Sequence, residues 1–60
     1  MYGGCYRVYY RTNDGQEGFF AVEAMDWFDA RDYGKRLLQK RYDWATLGKI
    51  VFMREAVLGA

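Results

Sequence analysis

The side chains that ordinarily do chemistry are scarce in this 60-residue chain, and their spacing does not suit catalysis. Histidine and serine are absent, and the threonines are Thr12 and Thr46 only. A nucleophile activated by a neighbouring imidazole cannot be built from this set. Cys5 is the sole thiol, so no intramolecular disulfide can form. It reads as a small, half-buried strand residue. Asp26, Asp29 and Asp32 recur at i, i+3 and i+6. On a helix that spacing spirals round the axis instead of converging on a cation. Neither Gly3-Gly4 nor Gly15-Gln16-Glu17-Gly18 leads from a strand into a helix, so no phosphate loop is expected. The expectation is a protein without catalysis, cofactor or metal.

What remains is binding chemistry, and it is concentrated in Cys5–Thr12, Cys-Tyr-Arg-Val-Tyr-Tyr-Arg-Thr. Aromatic and β-branched residues make this the strongest strand signal in the chain. Period-2 alternation separates Tyr6, Val8 and Tyr10 on one face from Cys5, Arg7, Tyr9 and Arg11 on the other. Asn13-Asp14-Gly15 follows as the strong turn signal. A two-residue loop would oppose Tyr10 with Phe19. A three-residue loop, with Gly15 left-handed, opposes Val8 with Phe20 and Tyr6 with Val22. The second strand, roughly Glu17–Ala24, has its apolar alternation at Phe20, Val22 and Ala24. Only the odd loop brings these onto the Tyr6–Val8–Tyr10 face; the other parity turns Glu23 inward. The three-residue loop also pairs Arg11 with Glu17 and Tyr9 with Phe19 on the outside.

A helix is expected over about Trp27–Tyr42. Asp26 is its N-cap, and Asp29 approximates the second half of a capping box. Acids at the start and Lys35, Arg36, Lys40 and Arg41 at the end suit the helix dipole. At 100° per residue Trp27, Ala30, Gly34, Leu37 and Leu38 share the buried stripe, with Arg41 below them. Gly34 in mid-helix, unfavourable by about 1 kcal/mol against Ala, implies close approach to the sheet, over an aromatic ring. Trp44 is expected to close one end of the core. The third strand, Leu47–Arg54, offers Ile50 and Phe52 inward and Leu47, Lys49, Val51 and Met53 outward; the reverse would bury Lys49.

These elements give a single α+β domain, ββαβ, with a three-stranded sheet in the order 2-1-3 and one helix on one face. Residues 1–4 and 55–60 are read as tails. The size lies near the lower limit for unaided folding. The composition, 52% hydrophobic and 20% aromatic, is that of a globular chain. Nine Lys+Arg against eight Asp+Glu create no long-range field towards nucleic acid or membrane. No apolar run approaches the roughly 18 residues of a membrane span. The N-terminal residues lack the basic-then-apolar order of a secretory signal. With a lone cysteine, the expected setting is the cytoplasm.

A helix covers one side of a sheet. The other side is left with Arg7, Tyr9, Arg11, Phe19, Leu47, Lys49, Val51 and Met53, more apolar than a solvated face normally is. Two occupants are weighed. In one, the tail Glu55–Ala60, carrying Val57 and Leu58, folds over it. In the other it is an interface, to another protein or to a second copy in a homodimer. Tyr9 and Phe19 would then be the anchors and Arg7, Arg11 and Lys49 the polar rim. An adaptor, an inhibitor or an accessory protein of a mobile element is the corresponding expectation. The alternative is RNA or single-stranded DNA on the same face. Gly18-Phe19-Phe20-Ala21-Val22 resembles the glycine-aromatic strand of RNA-recognition sheets, whose rings stack bases. It departs from that pattern at Glu17, where a base is wanted, and in its Phe20-Ala21 order.

Overall fold

The computed structural model describes residues 1–41 and 45–59. Its elements are β1 (Tyr2–Arg11), β2 (Glu17–Ala24), α1 (Trp27–Arg41) and β3 (Thr46–Val57). The strands form one sheet in the order β2-β1-β3, with β1 antiparallel to both neighbours. This is the α+β architecture the sequence predicts. The expected roles of Tyr42 and Trp44 lie outside the described residues.

The β1–β2 hairpin has the odd-loop register. Arg11 opposes Glu17, Tyr9 opposes Phe19, Val8 opposes Phe20 and Tyr6 opposes Val22. Gly15 takes φ +91°, where a side chain would be strained. The loop is closed by Thr12 N donating to the Gln16 carbonyl at 2.8 Å and Gly15 N donating to the Thr12 carbonyl at 3.0 Å. The Thr12 hydroxyl donates to the Asp14 carboxylate. That bond is the main reason the Asp14 pKa lies below its ordinary value of 3.8. A lowered folded pKa means the ionised form favours the fold. The contribution is therefore present above 3.8 and is lost as pH falls through the lowered value. An NMR titration of the Asp14 carboxyl is expected to give a midpoint below 3.8, and Thr12→Val should return it towards 3.8. Identical midpoints in the two proteins would count against this hydrogen bond.

At the start of α1, Asp26 Oδ1 accepts from the Asp29 amide at 2.8 Å, so Asp26 is the N-cap. Asp29 Oδ2 reaches back to the amide of Met25 at 2.9 Å, one residue before the cap. The reciprocal box is thus present in shifted form. Ala30, Gly34 and Leu38, four residues apart, form the buried stripe of α1. With Tyr6, Val8, Val22 and Ala24 of the sheet they make a small core. Phe20, Leu37, Leu47 and Ile50 pack around its margin.

Several expectations need correction. Gly34 sits over Val8, not over an aromatic ring; a Cβ there would lie 2.9 Å from Val8 Cγ1 and 3.1 Å from Cγ2. Such close approach leaves no room for an indole between helix and sheet. Trp27 is accordingly pushed to the margin and is 42% exposed. The expected tails are largely strand. Tyr2, Gly3 and Gly4 pair with Val57, Ala56 and Glu55, and Leu58 N donates to the Met1 carbonyl at 2.9 Å. Ladder hydrogen bonds hold these segments where side-chain pattern is weak. The ring of Phe52 lies against Gly4, where any side chain would collide with it.

β3 departs from simple alternation twice. Between the pairs Val8–Ile50 and Tyr10–Leu47 it carries two residues, Gly48 and Lys49, against Tyr9 alone. Between Tyr6–Phe52 and Cys5–Arg54 it carries one extra residue, Met53. Each bulge reverses the facing of what lies beyond it. Leu47, expected outside, therefore joins Tyr10 on the inner face and packs against the core.

Candidate functional site

The outer face of the sheet is built on β1. The hairpin register puts Tyr9 beside Phe19 on β2, and their ring centroids are 5.5 Å apart. Arg7 lies one step along the same face, diagonal to Phe19. Its guanidinium carbon stands 4.5 Å from the centre of the Phe19 ring. An Arg7 guanidinium nitrogen is also 3.5 Å from the Tyr9 hydroxyl, which accepts from it. From the other side Lys49 Nζ stands 4.8 Å from the centre of the Tyr9 ring. The result is a row across three strands of cation, ring, ring, cation: Lys49, Tyr9, Phe19, Arg7. Each cation–ring contact at a partly exposed site contributes about 0.5–1 kcal/mol.

Most of the outward residues expected from the sequence meet here. Arg7, Tyr9 and Phe19 form the row with Lys49. Val51 opposes Arg7 from β3 and is half-buried. Arg11 stands at the hairpin end of the face, in an ion pair with Glu17. Because that pair is about two-thirds exposed, solvent screening leaves it little energetic weight. Met53 is the extra residue of the second bulge, between the pairs Tyr6–Phe52 and Cys5–Arg54, and is half-exposed. Leu47 is lost to the inner face.

Arg54 is the residue that sequence alternation misses. It would fall inside by simple parity, but the Met53 bulge sets it opposite Cys5 on the outer face. The signal that points to it is its own charge, since a buried arginine without a partner is very costly. Glu23 opposes Cys5 from β2, and its carboxylate lies 3.9 Å from Cys5 Sγ. Arg11 is neutralised by Glu17, and Arg7, Lys49 and Arg54 outnumber Glu23, so the face is cationic. Residues 55–57 continue β3 in the plane of the sheet, and Leu58 packs against Gly3 at the start of β1, four residues from Arg7, so among the described residues the tail leaves the row open.

Chemically, the face offers apolar area, planar rings and fixed positive charge. Among the described residues no three of His, Cys, Asp and Glu gather to hold a metal ion. No described helix is long and apolar enough to cross a membrane. No family model, curated protein or solved structure matches the chain.

Proposed function

We propose that the chain is a non-catalytic protein-binding module, of the adaptor, inhibitor or accessory kind, that docks its outer sheet face on an acidic protein surface. The observation that supports this most is the Lys49–Tyr9–Phe19–Arg7 row. Aromatic and arginine side chains at the centre of a flat patch are what protein interfaces favour. Tyr9 and Phe19 supply the desolvated centre, while Arg7, Lys49 and Arg54 select the sign of the partner. Nucleic acid fits the row less well. Base stacking needs open ring faces, and here Arg7 and Lys49 already lie over the rings. A base would have to displace a cation to stack.

The test is quantitative capture from the cell of origin with three baits: the tagged chain, Tyr9→Ala with Phe19→Ala, and Arg7→Glu with Lys49→Glu. One acidic protein is expected at stoichiometric amount on the first bait. Purified, it should bind each variant at least about thirtyfold more weakly, the effect of losing a 2 kcal/mol hot spot. Circular dichroism checks that the variants fold. A partner held equally by all three baits would remove the reading. So would salt-sensitive binding of single-stranded RNA to the purified chain in the absence of any protein partner.

A further inference from the structure

A second apolar surface lies on the other side of the sheet, beside the helix. The α1 flank bearing Tyr33 and Leu37 overhangs β2, where it shares a hollow with Ala21, Val22 and Glu23. At 100° per residue the opposite flank, with Trp27 and Arg31, faces the β3 side. The inner face is open there. Phe52 stacks edge-on against Tyr6 and yet is 52% exposed. Tyr2 and Val57, opposite each other across β1 and β3, are 80% and 67% exposed. Phe28 packs edge-on to Trp27, centroids 5.2 Å apart, with most of its own surface in solvent. Met25, in the turn before the helix, is half-exposed too.

We propose that this helix–β3 face is where two copies of the chain associate about a two-fold axis. Surface area is the first argument. A compact monomer of 7.1 kDa should expose about 4,100 Å². This chain exposes 4628 Å² and is elongated, 38 × 19 × 16 Å. The surplus of about 500 Å² is a large part of the ~800 Å² each partner buries in an interface of standard size. Charge is the second argument. A two-fold contact sets one surface against itself. The outer face would bring Arg7, Lys49 and Arg54 up against their own copies. The helix–β3 face carries two charges of each sign: Arg31, which pairs with Asp32 at 3.7 Å and stands 5.6 Å and 5.7 Å from the Trp27 and Phe28 ring centres, Lys35 on the same helix flank, and Glu55, opposite Gly4. It can meet itself without net repulsion. The two bulges of β3 disfavour simple strand-to-strand continuation, so side chains of this face make the contact. Self-association here leaves the outer face free and does not depend on what binds there.

Sedimentation equilibrium between about 1 µM and about 1 mM tests the proposal. The chain is expected to reach twice its 7.1 kDa mass. Phe28→Glu and Val57→Glu, both at exposed positions, should raise the dissociation constant at least tenfold, about 1.4 kcal/mol. Phe28→Ala removes area without adding charge and keeps the test sound where the glutamate variant does not fold; it too should weaken the dimer. Phe19→Glu, on the outer face, should leave the mass unchanged. A monomer throughout the range would overturn the proposal. So would a dissociation constant unmoved by the Phe28 and Val57 substitutions, or a dimer abolished by Phe19→Glu.

Discussion

Gly34→Ala is expected to destabilise the protein, although alanine is the better helix former by about 1 kcal/mol. The added methyl would sit 2.9 Å and 3.1 Å from the two γ-carbons of Val8. Val8 has no exposed surface, and its β-branched side chain on the central strand cannot swing aside. Overpacking of this kind costs about 1–3 kcal/mol, which outweighs the gain in propensity. Val8→Ala alone should cost about 2–3 kcal/mol through lost burial and the cavity left behind. The double variant decides the matter. The methyl group added at position 34 then fills space that Val8 vacates, and the helix keeps the advantage of alanine over glycine. The pair should be more stable than Val8→Ala, with a coupling of at least ~1 kcal/mol. Urea denaturation of all four proteins at one concentration measures it. Simple additivity would mean that Gly34 and Val8 do not touch as described.

Leu38→Ala should lower stability by about 2–4 kcal/mol, whereas Leu37→Ala should cost about 1 kcal/mol or less. The two leucines are neighbours and share the apolar stripe read from the sequence. Leu38 is 3% exposed, while Leu37 lies on the flank above β2 and is half-buried. A chain of this length has a total stability of about 3–9 kcal/mol, so the Leu38 variant should lose a large share of it and melt at a clearly lower temperature. Thermal denaturation followed by circular dichroism separates the two. Equal losses would show that the helix is rotated from the position described.

Both effects arise from how little core there is. Six hydrophobic side chains are buried among the described residues, and Val8 is the largest of them with no exposed surface at all. Truncation in so small a cluster cannot be absorbed by neighbours. The same scarcity accounts for the exposed Tyr2, Phe28, Phe52 and Val57. One 15-residue helix over a sheet with a 12-residue edge strand leaves part of the inner face bare. The cationic outer row and the neutral helix–β3 face thus divide the surface into two regions of different electrostatic character. One suits an acidic partner and the other suits a copy of itself.

The absence of histidine and serine was legible at once, and it rules out a nucleophile activated by a neighbouring imidazole. The hairpin was legible too. Turn parity and the cost of turning Glu23 inward are local constraints, and together they determined the register that puts Arg7, Tyr9 and Phe19 on one face. Asp26 as N-cap and the buried Ala30 and Gly34 followed from helical periodicity in the same way. The third strand was different. Its bulges at Gly48–Lys49 and Met53 move Leu47 inward and Arg54 outward. A bulge comes from matching two twisted strands along their whole length, and alternation within β3 carries no record of it. The ends of β1 and β3 depend likewise on backbone pairing between segments far apart in the chain, where Gly3 and Gly4 supply no side-chain pattern. The row of cations and rings shows both sources at once. Arg7, Tyr9 and Phe19 were placed by local alternation and a turn. The approach of Lys49 over Tyr9 was settled only when β3 bulged against β1.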